Sequence, residues 1–400
     1  MQPPKLASMF LERSRDLPLK IYTLSDFCFE PVHLRRIKTL RLRTSDLDGL
    51  SEIFSRLTIP SPVITEVIID VTSWSDRHFP DLPPLFGDMS TIKSLSLDAL
   101  NFDIKLLSFT SLTSLTMSLP GVLLSPFFDL LAVNPALESV SISVWGAIQI
   151  PAGQIDAPII PLNNLVTLHC RDTSRLLLSR LSLPPSTTIQ IECMDPPLTL
   201  SNILPSSVAN IRSLAQINTV CLATTTGVVY TGRTTDTHHV QLAGSGGLMD
   251  IHWVSGYDGP RKFDPHPLSL DYVKELSITH KTTPERPRAS ELDFSPLFKA
   301  MKRLEALRIH LCLPSDCDPI LSPFDDNRIC PSLHTVEIFH RSRQTQWLSA
   351  LLHVATRRRK AGLALRQVLV SPHPGVDSLV QSYIKDFDGV LLEPSEANDV

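Results

Sequence analysis

Apolar residues return along this chain in one recurring spacing. Ile37-x-x-Leu40-x-Leu42 is followed by Ile64-x-x-Val67-x-Ile69, Ile92/Leu95/Leu97, Leu112/Leu115/Met117, Leu137/Val140/Ile142 and Leu165/Leu168/Cys170. The pattern resumes at Val273/Leu276/Ile278, Leu304/Leu307/Ile309, Leu333/Val336/Ile338 and Leu365/Val368/Val370. The last two apolar residues of each motif alternate with polar ones, which predicts a short strand with one buried face. The stretches between motifs carry helical periodicity. In "SDLDGLSEIFSRL", Leu47, Leu50, Ile53, Phe54 and Leu57 share one helix face, with Asp46 and Asp48 at the positive N-terminal end. The segments Ser125 to Ile142 and Ser295 to Ile309 are near copies, each with Ser as the expected N-cap, Pro after it, an apolar face and then Leu-Glu leading into a strand. "QWLSALLHVATRRRKAG" predicts a longer helix that Gly362 is placed to end.

Successive motif starts are 27, 28, 20, 25 and 28 residues apart in the first block and 31, 29 and 32 in the second. Leucine-rich repeats have a period of about 20–29 residues. One such unit cannot cover its own apolar face, so neighbours must stack in parallel. The expected fold class is therefore α/β: a leucine-rich-repeat solenoid with a curved parallel sheet on the concave face and helices and loops on the convex face. Between Ser182 and Tyr257 the helices drop out. "TTIQIEC", "INTVCLA", "GVVYTG", "HHVQLAG" and "LMDIHWV" read as strands, with glycine turns at Gly232 and Gly244–Gly247. The expected organisation is a capping helix and strand over 1–24, a first repeat block over 25–181 and an irregular β-rich segment over 182–257. A second block over 258–387 and an acidic tail over 388–400 complete it.

The 33 prolines against 15 glycines fit many short elements with frequent stops. A net charge of −4 offers no basic field, so neither nucleic acid nor a membrane is expected as a partner. Seven scattered cysteines do not form an even-numbered disulfide framework; they read as free thiols of an intracellular protein, cytoplasmic or nuclear. The longest uncharged stretch, Leu106 to Phe128, is interrupted by Ser, Thr, Pro120 and Pro126 and is no membrane span.

Several stretches invite chemistry and are better explained without it. His310-x-Cys312-x4-Cys317, with Cys330 beyond, matches no standard zinc spacing. His238, His239, Asp250 and His252 could meet across a hairpin, but exposed alternate positions on paired strands account for them without a ligand. "AGSGG" lacks the Lys-Ser/Thr of a phosphate loop. Arg357-Arg358-Arg359-Lys360 reads as a solvated helix end, where the dipole favours cations. No nucleophile elbow or carboxylate pair stands out, so no enzyme, cofactor or metal is expected.

The order of five stretches resembles the repeat portion of fungal F-box/leucine-rich-repeat-like proteins: "FLERSRDLPLKIYTL" (Phe10 to Leu24), "HLRRIKTLRLR", "LLAVNPALESVSIS", "LVTLHCRDTSRLLLSRLSLPPSTTIQIEC" and "LSALLHVATRRRKAGLALRQVLV". The resemblance implies a substrate-recognition module of a ubiquitin ligase, in which an F-box docks a Skp-type adaptor and the repeats hold a target protein. The F-box itself is not recognisable here. "LDGLSEIFSRL" (Leu47 to Leu57) resembles its opening but lacks the preceding Leu-Pro and any downstream Trp, and it falls where a repeat helix is due. A Skp-type adaptor is therefore expected only where an F-box lies upstream. The alternative is a stand-alone repeat scaffold or sensor without a ligase link. On either reading the binding residues are those flanking the buried strand positions: Arg41, Arg43, Glu66, Asp70, Ser96, Asp98, Thr116, Ser141, His169, Arg171, Ser277, Arg308, His310 and Glu337, facing an unknown target protein.

Overall fold

The structure is a computed structural model. It describes residues 9, 11–24, 33, 35–44, 63–71, 90–98, 109–120, 125–145, 158–171, 174–193, 203–211, 217–228, 234–244, 248–255, 261–262, 266, 268–281, 292–311, 317–340, 346–371 and 391–394; over 217–255 the side chains described are those of Ile217, Gln241 and Leu242. The helix expected at 45–57 lies outside the described residues, as does Cys312. The chain is a mixed α/β protein that divides into two compact units. One is Met1–Thr173 with Arg180–Pro184, the other Ser174–Ser179 with Pro185–Val400.

The N-terminal unit is built on β1 (Leu19–Leu24), β2 (Ile37–Thr44), β3 (Glu66–Val71), β4 (Ser94–Asp98), β5 (Ser114–Pro120), β6 (Ser139–Trp145) and β8 (Thr167–Arg171). They lie side by side in chain order, and every pair is parallel. A two-residue pair, β7 (Ile160–Pro161) with β9 (Leu181–Ser182), stands apart. The motif explains the sheet. Leu40, Val67, Leu95, Leu115, Val140 and Leu168 are register partners in turn, and each is at most 1% exposed. Leu42, Ile69, Leu97, Met117, Ile142 and Cys170 form a second buried row. Burying one such side chain stabilises by about 1.5–3 kcal/mol.

Backbone hydrogen bonds outside the strands keep the repeats in step at one position, the residue after the first apolar one. Thr65 N–H donates to Lys38 O (2.9 Å), Lys93 to Thr65 O (2.9 Å), Thr113 to Lys93 O (2.8 Å), Glu138 to Thr113 O (2.8 Å) and Val166 to Glu138 O (2.8 Å). The helix Ser125–Ala132 precedes β6 and buries Phe127, Phe128, Leu130 and Leu131.

The C-terminal unit has the strand order β10 (Thr188–Cys193), β13 (Leu248–Ser255), β12 (Thr234–Gly244), β11 (Ile217–Val228), β15 (Glu275–Lys281), β17 (Ala306–Leu311), β18 (Thr335–His340), β19 (Gln367–Ser371) and β20 (Leu391–Pro394). β14 (Arg261–Lys262) and β16 (Leu292–Asp293) make a separate small pair. The irregular middle segment is resolved by this order. β11, β12 and β13 form an antiparallel meander set between β10 and β15, within the sheet rather than beside it. β13 runs parallel to β10 and β11 parallel to β15, so β12 alone reverses direction. "INTVCLA" and the start of "GVVYTG" are one twelve-residue strand rather than two runs. The strand β20 falls inside the expected acidic tail and pairs with β19. Among the described residues neither sheet closes into a barrel.

The same stepping bonds recur here, with Glu305 donating to Lys274 O (2.8 Å), His334 to Glu305 O (3.0 Å) and Arg366 to His334 O (2.8 Å). Both serines expected as N-caps differ in place, since Ser125 and Ser295 are each the first residue of their helix. In the helix Ser295–Ala300, Phe294 occupies the cap and has no capping side chain. Asp293 Oδ1 accepts the Ser295 N–H at 2.9 Å instead, supplying the anionic acceptor that a helix start favours. Phe298 packs on Phe324 of the turn Ser322–Asp325, ring centroids 4.5 Å apart. The helix Gln346–Lys360 ends as its Gly predicts: Gly362 has φ +78°, its N–H donates to Arg359 O (3.0 Å), and Leu363 N–H donates to Arg358 O (2.9 Å). That pair of bonds is the Schellman closure. No helix of the described residues is long and apolar enough to cross a membrane.

Candidate functional site

Strand alternation sends one face of each sheet into the core and leaves the other to polar residues. On the polar face of the N-terminal unit, register brings Tyr22, Arg41, Ile68, Ser96, Thr116, Ser141 and His169 into one transverse row. Arg43, Asp70 and Asp98 begin a second row, and Ser143 with Arg171 lies in register at the far strands. Thr39, Glu66, Ser94, Ser114, Ser139 and Thr167 make a third. Every candidate of this unit thus falls on one face, and each is half-buried or exposed.

Contacts within the rows are those of a polar surface. Arg43 Nε lies 3.4 Å from Asp70 Oδ2, with more than half of the arginine side chain exposed; solvent holds such a pair to about 0.2–1 kcal/mol. Ser141 Oγ and His169 Nδ1 share a hydrogen bond at 3.2 Å, and Thr167 Oγ1 donates to Ser139 Oγ at 3.0 Å. Two residues of these rows that lie outside the candidate set stand out. Thr39, in the third row, is 4% exposed and donates its hydroxyl to Glu66 Oε2 at 3.0 Å. Tyr22, not among the candidates, stands 65% exposed beside Arg41 and is the aromatic residue of this row. Its signal was the period of two in "LKIYTL".

The C-terminal unit carries its own rows, Ser277–Arg308–Glu337 and Thr279–His310–Phe339. Arg308 forks between two acids, Nε to Glu337 Oε2 at 3.0 Å and Nη1 to Glu275 Oε2 at 3.5 Å. The His310 and Phe339 rings stack, 4.2 Å between centroids and 6° between planes. Offset or parallel ring contacts of this kind add about 0.5–1.5 kcal/mol beyond area burial. The result is a flat apolar step beside a charged fork.

Other residues singled out in the sequence have structural employment. Cys317 is fully buried at the start of the helix Cys317–Leu321. Cys330 is also buried, and its thiol donates to Phe298 O at 3.3 Å; burial pushes that thiol up to about 12 against the opposing influence of the Arg358 guanidinium. The basic run is not uniformly solvated. Arg357, Arg359 and Lys360 are exposed, but Arg358 is fully buried. The reason is helical phase: Arg358 continues the buried stripe of Trp347, Leu351 and Val354. Among the described residues no group of three or more His, Cys, Asp or Glu could hold a metal ion.

Comparison with protein-family models finds no match for this chain, and comparison with curated proteins finds none at a significant level. The likeness to F-box/leucine-rich-repeat-like proteins therefore rests on the five stretches quoted above.

Proposed function

We propose that this chain is a protein-binding leucine-rich-repeat module resembling the substrate-recognition part of F-box/leucine-rich-repeat receptors. Its repeats would stack as a solenoid whose parallel sheet lines the concave face, and the polar rows of that face would meet a target protein. The observation that carries the reading is the register. Motif after motif places its apolar residues in shared buried rows and its intervening residues in shared polar rows, with the stepping backbone bond at the same position each time. A face built this way can present a standard protein interface of about 1,200–2,000 Å². Arg41 and Tyr22, side by side on neighbouring strands, are the residue types that most often anchor such contacts. The ligase link rests on the resemblance alone.

The test is a quantitative affinity capture comparing the wild-type chain with an Arg41→Glu/Arg43→Glu/Asp70→Lys variant and with an Arg357→Glu/Arg359→Glu control on the helix surface. At least one protein captured in stoichiometric amount should be lost with the first variant and retained with the control. Identical captured sets for wild type and the face variant would remove the polar face as the binding site.

A further inference from the structure

We propose that the open edge of β1 and the polar face beside it form a docking site for an extended acidic segment of the target protein, one that alternates carboxylates with aliphatic side chains. The inference rests on the protein-binding reading of this face and names the kind of partner it takes. Among the described residues β1 is the terminal strand of its sheet and pairs with β2 alone. A terminal strand leaves a row of backbone N–H and C=O groups without strand partners. Such a row is the template on which an extended peptide adds as one more strand.

The side chains of β1 decide what the added strand must carry. On the inner face Ile21 continues the buried row of Leu40 and Val67, but it is 9% exposed where those two are 0% and 1%. Leu19, beside the fully buried Ile37, is half-buried. The apolar rows thus end open at this edge, and aliphatic residues at alternate positions of an added strand would close them. On the outer face Lys20 and Tyr22 are exposed, with Arg41 exposed beside Tyr22.

Charge sets the sign of the partner. The two acids of β3 on this face are already engaged: Glu66 Oε2 accepts the Thr39 hydroxyl at 3.0 Å, and Asp70 Oδ2 lies 3.4 Å from Arg43 Nε. No described carboxylate pairs with Lys20 or Arg41. Across Arg41 from Tyr22 stands Ile68, so this cation lies between an aromatic and an aliphatic neighbour. Two unpaired cations beside an exposed ring suit carboxylates on the outer face of the added strand. A second copy of this chain fits the edge less well. Pairing β1 with β1 would bring the Lys20 of both copies onto one short strand pair, and an edge lysine is a device that keeps like strands apart.

The test titrates the full chain into a fluorescein-labelled peptide of four Glu-Val repeats, long enough to span the six residues of β1, and follows anisotropy. Binding should saturate and should weaken as salt is raised. Lys20→Glu/Arg41→Glu should lose affinity about tenfold or more, with Tyr22→Ala weakened in the same direction. A Lys-Val peptide of equal length, and a Glu-Val peptide N-methylated at alternate residues to block strand pairing, should each bind at least about tenfold more weakly. The Arg357→Glu/Arg359→Glu control should bind as wild type does. No saturable binding to wild type, equal binding of the Lys-Val or N-methylated peptide, or a chain dimer in sedimentation that Tyr22→Ala abolishes overturns the site. Failure of the peptide while capture still depends on Arg41, Arg43 and Asp70 removes this docking mode and leaves the protein-binding face. A peptide that binds while the captured sets are identical keeps the edge and removes the wider face.

Discussion

Asn134 in the N-terminal unit and Arg358 in the C-terminal unit both reach back from one repeat to the carbonyls of the repeat before it, and they do so with opposite electrostatics. Asn134 is fully buried and its amide is saturated by three bonds. Nδ2 donates to Phe109 O (2.8 Å) and to Leu130 O (2.9 Å), and Oδ1 accepts Leu112 N–H (2.9 Å). Arg358 is equally buried, donating to Ile329 O (3.3 Å), Cys330 O (3.0 Å) and Leu333 O (3.2 Å), while its Nε has no partner. No described carboxylate pairs with it, and burial lowers its pKa. The neutral amide balances donors against acceptors without net charge. The guanidinium brings more donors and also a charge whose desolvation opposes folding. The same stitch between repeats is thus made once at low electrostatic cost and once at high cost.

The sharpest way to break this comparison is to delete both groups. Arg358→Ala leaves a large cavity and three carbonyls without their donor, and should cost about 4 kcal/mol in denaturant unfolding. Asn134→Ala leaves one buried N–H and two carbonyls unpartnered, and should cost about 3 kcal/mol. Replacement by apolar residues of similar size then separates the two. Asn134→Leu should remain near 3 kcal/mol, because the stranded backbone groups persist. Arg358→Met strands the same three carbonyls but removes the buried charge and leaves little cavity, and should cost about 2 kcal/mol, roughly half the Arg358→Ala loss. An Arg358→Met loss as large as that of Arg358→Ala would mean that the guanidinium is a net stabiliser and that the contrast is wrong.

Alkaline pH gives a second, smaller handle. The Cys330 thiol, pushed up to about 12 from an ordinary 9.0, keeps its proton in the folded chain where the unfolded chain has lost it. Its contribution is complete below about pH 9 and disappears as the pH rises toward 12, so stability falls with pH in that window. Arg358 works in the other direction: burial holds its folded pKa below the ordinary guanidinium range, so its burial penalty fades as the pH rises through that lowered value. Cys330→Ala removes the first dependence and leaves the second. Urea midpoints measured between about pH 8 and pH 11 should fall less for this variant than for wild type. Parallel curves would show that the thiol does not ionise on unfolding.

How much of this was legible in the sequence follows from periodicity. Leu40, Leu42, Leu95, Leu97, Leu307 and Ile309 occupy the buried rows their spacing assigned, and Arg41, Ser96 and Arg308 the polar rows between them. Gly362 ends its helix at the expected residue. A single repeated motif carries such information locally. What escaped depended on partners distant in sequence. The place of β11–β13 within the sheet was open because alternation does not say which edges pair. Asn134 carries no periodic sign of its role, because its partners lie 4 to 25 residues away. Arg358 has a local sign, since 347, 351, 354 and 358 trace one helix stripe, but a basic run at a helix end points equally to solvent. Asn134 and Met301 show why near-copied segments mislead. Each sits three residues before the first apolar position, each is fully buried, and only one of them makes polar bonds to its neighbour repeat.

The smallest effect tests how the two stitches are anchored to their helices. In the N-terminal unit the helix Ser125–Ala132 runs into Asn134 itself, whose N–H donates to Leu131 O at 3.1 Å, so helix end and stitch are one residue. In the C-terminal unit they are separate. Gly362 closes the helix, and the carbonyl of Arg358 accepts Leu363 N–H within that closure. A Cβ at Gly362 would meet nothing within 4 Å, so Gly362→Ala introduces no clash and charges only the left-handed conformation. The expected cost is about 1 kcal/mol, with Gly362→Asn losing less because asparagine tolerates that region. If the closure holds Arg358 in place, Gly362→Ala should cost less in an Arg358→Met background than in wild type, a coupling readable in a double-mutant cycle. Additive losses would mean that the guanidinium is positioned by the buried stripe of Trp347, Leu351 and Val354 rather than by the turn that follows it.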